Sequence, residues 1–305
     1  MGANAQAVVA ARLDLELQLG YATVLTFQPH PQEFFTGQTR ELLTPLDEKV
    51  QHLERLGVEQ LVLLPFNQEL AALTPEEFVD KILVRGLKVR AISVGQDFCF
   101  GRKRLGTSTD LKAIASHYGI TVHIVPLQTL EGDRISSSAI RHALQQGDIA
   151  RANRLLGRPY ALVGRVELGQ QLGRTIGFPT ANVQVPAEKF LPRLGVYAVL
   201  VTGETLDGGS NASADLPGRG IPGVMNIGYR PTVAGTQRTV EVHLLDWSGE
   251  LYGQTLTVSL EQFLRPEQKF ASLDELKAQI QRDADTARSH LAALQLASTS
   301  TNANP

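Results

Sequence analysis

The feature that most constrains the fold is a change of pattern near residue 158. Before it, apolar runs typical of buried strands alternate with segments whose apolar residues have helical spacing, such as ATVLTF (22–27) and LDEKVQHLERLG (46–57). This alternation predicts an α/β domain with a parallel sheet covered on both faces. After it, short apolar runs separated by turn residues predict an antiparallel β-barrel. A chain of 305 residues can form both domains.

The predicted domains are 1–157 and 158–295, followed by a disordered tail over 296–305. The first domain is predicted to contain strands at 22–27, 60–66, 89–95 and 121–127, helices at 5–19, 46–57, 74–87 and 109–119, and two short helices at 136–147 and 148–157. The second domain is predicted to contain the strands YALVGRVEL, GVYAVLVTG, GVMNIG, TVEVHLLD and LTVSLEQFL and a closing helix over 272–294. The polar stretch 203–220 is predicted to be a mobile insertion.

Composition excludes several classes of protein. A formal net charge of −2 argues against nucleic acid as a partner. There is no uninterrupted apolar run of about 18 residues, so no membrane span is expected. The single cysteine, Cys99, cannot form an internal disulfide framework or a cysteine metal cluster, and is compatible with a cytoplasmic location. We expect a monomer or a weak homo-oligomer.

The stretch GRTIGFPTAN (173–182) has a composition that suits neither a helix nor the core of a strand. If its end is extended, Thr180 and Asn182 point the same way. A hydroxyl and an amide oxygen are hard ligands of the kind that Mg²⁺ prefers, and two neutral ligands leave the charge of the ion for phosphates. We therefore predict that Thr180 and Asn182 bind magnesium and ATP.

Four glycines punctuate the residues before and around this stretch: Gly164, Gly169, Gly173 and Gly177. Glycine allows close backbone approach, so that amide groups can face an anion. Their spacing fits neither the dinucleotide fingerprint nor the P-loop. They are candidates for ATP binding, and the competing interpretation is a hairpin with glycine turns.

In TVEVHLL (239–245), Glu241 and His243 lie on the face opposite Val240 and Val242. A carboxylate near bound ATP could accept a proton from a hydroxyl group, which makes Glu241 the candidate general base. The competing interpretation is a solvated strand face.

Together with GFPTAN, the segments GVYAVLV, GVMNIGYRPT, VEVHLLD and FLRPEQKF resemble the riboflavin kinase module of bacterial bifunctional riboflavin kinase/FAD synthetases. The resemblance implies a six-stranded antiparallel barrel with a C-terminal helix. It implies that Thr180 and Asn182 hold Mg–ATP and that Glu241 is the base toward the terminal ribityl hydroxyl of riboflavin. It also implies that Arg265 and Phe270 border the flavin, although each could equally cap a helix or fill core.

The first half resembles the FAD synthetase module of the same family, through VLTFQPHP, VGQDFCFG and ISSSAIR. The resemblance implies a nucleotidyltransferase-type parallel fold in which these segments surround ATP and FMN. Asp97 follows a strand end, a usual ligand position, and residues at a helix start can bind an anion. The implied adenylyltransferase residues are His30, Asp97, Ser136, Ser137 and Arg141.

One family segment has no counterpart in this sequence. Family members start with a strand and a Gly-x-Phe-Asp-Gly-Val-His-x-Gly-His segment, whereas Gly2 and Ala5 take the histidine positions here. We therefore expect FMN adenylylation to be severely impaired. Either the natural start lies upstream or the first module has decayed and only supports the kinase; the intact remaining motifs favour the first explanation.

Two functions from different classes remain at this point. One is a kinase that converts riboflavin to FMN, with ATP as co-substrate and Mg²⁺ as cofactor. The other is a flavin- or nucleotide-binding regulatory module without turnover. The presence of Thr180, Asn182 and Glu241 together favours the enzyme.

Overall fold

The computed structural model describes residues 20–169, 172–203, 205–206, 220–232 and 235–301. The chain forms two compact units, and the division along the sequence lies between Arg134 and Ile135. The predicted helix over 5–19 and most of the predicted insertion over 203–220 lie outside the described residues. Within those described ranges, no helix is both long and apolar enough to cross a membrane.

The first unit is built from short strands and helices that alternate along the chain. Its strands are β1 (Thr23–Gln28), β2 (Gln60–Pro65), β3 (Ala91–Gly95), β4 (Cys99–Phe100), β5 (Gly106–Thr107), β6 (Thr121–Val125), β7 (Thr129–Leu130) and β8 (Asp133–Arg134). Its helices are α1 (Pro31–Thr36), α2 (Leu46–Arg55), α3 (Gln68–Ala72), α4 (Pro75–Phe78) and α5 (Ser108–Ser116). β1 pairs with β2 and β3 pairs with β6, both in parallel, which confirms the predicted parallel strands.

The start of α4 shows how the sequence sets a helix boundary. Thr74 Oγ1 accepts a hydrogen bond from the Glu77 amide at 3.2 Å, and the Glu77 carboxylate accepts one from the Thr74 amide at 3.0 Å. This reciprocal pair satisfies two amides that the helix itself cannot bond. After Phe78 the helix continues as a π-helix over Val79–Gly86, so the predicted helix at 74–87 contains two hydrogen-bonding patterns.

The core of the first unit lies between the paired β3 and β6 strands and the helices around them. It is formed by the buried side chains of Phe78, Val79, Leu83, Val94, Phe100, Leu111, Ala115 and Val122. The rings of Phe78 and Phe100 lie 5.6 Å apart. Burial of this apolar surface holds the helices on the sheet.

The second unit contains a closed antiparallel barrel with helices before and after it. Its strands are β9 (Tyr160–Glu167), β10 (Ala181–Gln184), β11 (Gly195–Gly203), β12 (Ile221–Thr232), β13 (Gly235–Leu244) and β14 (Thr255–Arg265), joined in the order β10-β13-β12-β11-β14-β9. Its helices are α6 (Ser137–Gln146), α7 (Ile149–Leu156), α8 (Leu172–Thr175) and α9 (Leu273–Thr301). The six-stranded barrel and the C-terminal helix are confirmed.

Strand β10 was not among the strands that the sequence pattern predicted. It begins at Ala181, inside the stretch whose composition argued against a strand core, and only Ala181 and Val183 of its residues are buried. Pairing with β9 on one side and β13 on the other closes the barrel and supplies the stabilisation that local propensity lacks.

Helices cover the outside of the barrel at two places. α9 packs its buried residues Ala284, Ala287 and Leu291 against Ala198 and Leu200 of β11. On α7, Asn153 Nδ2 donates to the Leu260 carbonyl at 2.8 Å, and its Oδ1 accepts from the Tyr160 amide at 2.8 Å. Asn153 therefore satisfies a backbone group on each of β14 and β9.

The start of the second unit and the end of α9 lie at residues other than those expected from the sequence. The barrel unit starts at Ile135 and so includes α6 and α7, which the sequence pattern grouped with the first domain. α9 continues to Thr301, beyond the predicted end at 294, because AALQLA contains helix formers and no glycine or proline to stop it. Residues 296–301 of the expected tail are therefore helical, and residues 302–305 lie outside the described residues.

Candidate functional site

A row of polar residues crosses four adjacent strands on the outer face of the barrel. Asn182 of β10 pairs with Glu167 of β9 on one side and with Glu241 of β13 on the other, and Glu241 pairs in turn with Asn226 of β12. Directly paired residues point to the same face, with Cβ atoms about 5 Å apart. The residues on either side of Asn182, Glu241 and Asn226 in their own strands are buried inside the barrel. Strand pairing therefore brings the predicted ligand Asn182 beside the predicted base Glu241.

Two glycines lie directly behind the predicted metal ligands. A Cβ atom built on Gly169 would overlap the side-chain amide of Asn182. A Cβ atom on Gly173 would overlap the Phe178 carbonyl and lie 3.2 Å from Thr180 Oγ1. At Gly173 the overlap is with a backbone carbonyl and requires glycine, and at both positions the backbone before β10 lies against the side chain of a predicted ligand.

The other two candidate glycines have different surroundings. Gly164 lies within β9, where a Cβ atom would overlap the Gln184 carbonyl, so strand packing accounts for it. Gly177 has φ of +92° and nothing within 4 Å of its Cβ position, as expected for a turn residue. The nearest neighbours of the Cβ positions of Gly164 and Gly177 therefore do not include Thr180 or Asn182, whereas Gly169 and Gly173 lie against these predicted metal ligands.

The donor set on this face fits a magnesium ion that is also held by phosphates. Thr180 immediately precedes β10, and Asn182 is the second residue of that strand. The two residues are therefore separated by two positions of extended chain, and their side-chain oxygens share the outer face. Within the described residues there is no group of three or more His, Cys, Asp or Glu side chains that could hold a metal. A hydroxyl and an amide oxygen are hard ligands of the kind that Mg²⁺ takes alongside waters and substrate phosphates.

The predicted flavin residues lie where β14 leads toward α9. The Arg265 guanidinium makes a bidentate pair with the Asp283 carboxylate, with its shortest contact at 2.8 Å, and it stacks 5.7 Å from the centre of the Phe270 ring. Side-chain exposure is 17% for Arg265 and 7% for Asp283. The structure thus places Arg265 in a buried ion pair that ties α9 to the barrel, and leaves its predicted contact with a flavin as a prediction.

In the first unit, His30 acts as the N-cap of α1. Its Nδ1 accepts a hydrogen bond from the Gln32 amide at 3.1 Å, and its own amide donates to the Glu33 carboxylate at 2.9 Å. The pKa of Glu33 is lowered, first by the hydrogen bond from the Arg40 amide and also by His30. His30 therefore has a structural role in this state.

Asp97 follows β3, and its carboxylate is paired with the guanidinium of Arg134 at the end of β8. Both side chains are about half exposed, at 55% and 52%. The sequence pattern did not single out Arg134, because nothing in the spacing shows that β8 returns to the end of β3. This ion pair places the Arg134 guanidinium at the strand end where Asp97 was predicted to bind a substrate.

The remaining predicted adenylyltransferase residues lie at the start of α6, in the barrel unit. Ser136 caps the helix, since its Oγ accepts from the Ala139 amide at 3.2 Å. Arg141 donates to the Ser137 carbonyl at 3.4 Å and lies 5.8 Å from the centre of the Phe190 ring. These contacts are structural, and the roles of the three residues toward a nucleotide stay predictions.

Two residues near Glu241 were missed by the sequence analysis. Asn226 is the β12 neighbour of Glu241, and a Cβ atom on Gly228 would lie 3.2 Å from Asn226 Nδ2 and would overlap the Glu267 carboxylate. Glu267 therefore reaches the same outer face from the segment after β14. The alternation of polar and buried residues in GVMNIG could have indicated Asn226, whereas no sequence signal indicates that Glu267 approaches β12.

Comparison with known proteins covers both units. A family model described as riboflavin kinase matches residues 156–291, and one described as FAD synthetase matches residues 6–139. The chain is 43% identical over 285 residues to a bifunctional riboflavin kinase/FMN adenylyltransferase of Pseudomonas fluorescens, with 93% of this chain and 87% of that protein covered. It is 45% identical over 266 residues to the protein of the same name from Escherichia coli strain K12, covering 87% of this chain and 81% of that one.

One similar solved structure is described as the macrolide-efflux protein from Streptococcus pneumoniae. It is 30% identical, with a TM-score of 0.80, and the alignment covers 94% of this chain and 89% of that one. The two chains share a fold over most of their length.

Proposed function

The chain belongs to the family of bifunctional riboflavin kinase/FMN adenylyltransferases, and from that premise we propose that the outer face at β10 and β13 transfers the γ-phosphoryl group of ATP to riboflavin. The observation that carries this proposal is the register of β10 and β13, which pairs Asn182 directly with Glu241. Transfer of a phosphoryl group to a hydroxyl group needs a side chain that binds the nucleotide and a carboxylate beside it, and the two adjacent strands provide both.

Glu241 is the group that accepts the proton. As the terminal ribityl oxygen bonds to the γ-phosphorus, its O–H bond breaks and the proton moves to the Glu241 carboxylate. The bond between that phosphorus and the bridging oxygen of ADP breaks, giving FMN and ADP. Phosphoryl transfer requires positioning and charge stabilisation more than covalent help, so a few well-placed side chains on the barrel face can support it.

Thr180 Oγ1 and the Asn182 amide oxygen would hold Mg²⁺, which when bound offsets the negative charge of the phosphates. Gly169 and Gly173 bring the backbone close enough to these side chains to limit their movement. The small-molecule partners are therefore riboflavin, ATP and the product FMN.

The alternative of a binding module without turnover is not favoured, because both family matches are enzymes and together they span most of the chain. The second family activity, adenylylation of FMN, is assigned to the first unit, with Asp97 as a candidate ligand at a strand end. The expectation that this activity is impaired concerns residues 1–19, which lie outside the described residues.

The kinase assignment is tested by measuring FMN formed from riboflavin and Mg–ATP by chromatography. We expect Glu241→Gln to lower kcat about 10²–10⁴-fold, the usual contribution of a general base.

We expect Asn182→Ala to raise KM for Mg–ATP. Glu167→Gln is the matched control, since Glu167 shares the row but lies on the far side of Asn182 from Glu241. Equal FMN from all four proteins would defeat the assigned roles.

Adenylyl transfer is tested separately, by measuring FAD formed from FMN and ATP. We expect FAD to form from these substrates, because the chain matches the FAD synthetase family over residues 6–139. Absence of FAD would contradict the assignment of this activity to the first unit, without affecting the roles assigned in the barrel.

A further inference from the structure

His243 lies beside the candidate site but is neither a proposed ligand nor the proposed base. It follows Glu241 by two residues on β13 and therefore shares its outer face. Since β10 and β13 are antiparallel and pair Ala181 with Val242 and Asn182 with Glu241, Thr180 is level with His243. The imidazole thus lies at the point where the chain enters β10.

Two contacts join His243 to the residues immediately before Thr180. Its Nδ1 lies 2.7 Å from the Pro179 carbonyl oxygen. A carbonyl can only accept a hydrogen bond, so Nδ1 carries a proton and donates it. The imidazole also meets the Phe178 ring edge to face, with centroids 5.6 Å apart and planes at 79°.

These contacts fix the peptide group that carries Thr180. The Pro179 carbonyl belongs to the planar unit that includes the Thr180 amide, so a hydrogen bond to that oxygen sets the orientation of the whole unit. Proline already restricts φ at 179, and the carbonyl bond restrains the torsion that remains. The direction of the Thr180 side chain follows from this orientation.

We propose that His243 is a positioning residue for phosphoryl transfer: it fixes the peptide between Pro179 and Thr180 and thereby aims Thr180 Oγ1 at Mg–ATP. This inference rests on the proposed function. The barrel does not need the imidazole for its core, because the β13 residues on either side of His243, Val242 and Leu244, are the ones buried inside. Loss of the donor is therefore expected to change nucleotide binding more than stability.

The test compares two substitutions of similar size, His243→Asn and His243→Leu. The asparagine amide nitrogen occupies nearly the position of Nδ1 and can donate to Pro179, whereas leucine cannot. We expect His243→Leu to raise KM for Mg–ATP roughly tenfold, the scale of one lost hydrogen bond, with KM for riboflavin within about twofold of the unchanged protein. His243→Asn should recover most of the Mg–ATP affinity, and both variants should melt at similar temperatures.

Equal KM values for Mg–ATP in His243→Leu and the unchanged protein would overturn the proposal. So would a parallel rise of both KM values in both variants with a lower melting temperature, which would indicate a structural role. If His243→Leu does not fold, His243→Phe takes its place, because it keeps a ring against Phe178 without a donor, and the same tenfold effect is expected.

Calorimetric titration with Mg–ATP, without riboflavin, separates this proposal from the proposed function. If the unchanged protein forms no FMN, yet His243→Leu still weakens Mg–ATP binding tenfold and His243→Asn does not, then the kinase assignment fails, while the positioning of Thr180 toward Mg–ATP by His243 stands. If FMN is formed and neither variant changes Mg–ATP binding, the positioning role fails and the kinase assignment stands.

Discussion

At the scale of single residues, the lack of a side chain at two glycines leaves room for the side chains proposed to bind Mg–ATP. The Cβ position of Gly169 is taken by the side-chain amide of Asn182, and that of Gly173 lies against Thr180 Oγ1. The amide is the far end of a flexible side chain, so it can move aside without disrupting the backbone. A substitution at Gly169 should therefore affect the ligand more than the fold.

We predict that Gly169→Ala lowers kcat/KM for Mg–ATP by about 10–100-fold, because displacement of the Asn182 amide would misplace a proposed ligand of Mg–ATP. The unfolding midpoint should change little. Gly20→Ala is the control, since nothing lies within 4 Å of its Cβ position. Steady-state kinetics of both variants check this prediction, and unchanged kinetics in Gly169→Ala would show that the Asn182 amide is not needed where it lies.

Glu261 on β14 has a raised pKa because it is buried. One of its carboxylate oxygens is buried and has no hydrogen-bond partner in the described part of the chain. Burial raises the pKa of Glu261 from 4.5 to about 7. The folded protein thus holds this proton more tightly than the unfolded chain, so the contribution of Glu261 to stability is fully present below pH 4.5 and is lost as the pH rises through about 7.

We predict that Glu261→Gln is more stable than the unchanged protein at pH 8, by at most about 3 kcal/mol, and that this difference shrinks toward pH 4. Urea unfolding across this pH range measures it. Glu267→Gln, at an exposed position, is the control. A difference that does not depend on pH would show that the titration of Glu261 is not responsible.

At the scale of elements, most helices and strands could be predicted from the spacing of apolar residues. Strand β10 could not, because GFPTAN has no strand pattern and becomes extended only between two partners. For the same reason the sequence could name Asn182 and Glu241 but not their adjacency, which is set by the register of distant strands. The Asp97–Arg134 pair is likewise a product of tertiary structure.

The attachment of α9 offers a prediction at this scale. Because Arg265 and Asp283 form a buried bidentate pair, Asp283→Ala leaves a guanidinium without its partner, and we expect a loss of about 3–5 kcal/mol in the free energy of unfolding. Asp246→Ala, which removes an exposed partner of Arg288, should change stability little. Equal urea midpoints for the two variants would contradict the anchoring role of the buried pair.

At the scale of the whole molecule, the barrel unit includes a helix pair that precedes the barrel. α6 and α7 bury Ile140, Leu144, Ile149 and Leu155, and Asn153 bonds to backbone groups of two barrel strands. The predicted boundary at 157/158 would separate α7, and α6 packed against it, from the strands that α7 contacts. We therefore propose that the independent folding unit starts near residue 135.

We predict that a fragment of residues 135–305 folds cooperatively and phosphorylates riboflavin, whereas residues 158–305 are less stable because the partners of Asn153 and the surface under the helices become exposed. Thermal unfolding of the two fragments side by side measures this. Equal melting temperatures would place the boundary after α7 instead.

In the proposed mechanism, Glu241, beside Asn182 on the outer face of the barrel, takes the proton when the γ-phosphoryl group passes to riboflavin. The most direct test of this role is a single-turnover measurement with γ-labelled ATP, Mg²⁺ and riboflavin on the unchanged protein and on Glu241→Gln. We expect the rate of labelled FMN formation to be at least about 100-fold slower in Glu241→Gln, with Mg–ATP bound equally well. Transfer of the label at the same rate in both proteins would contradict it.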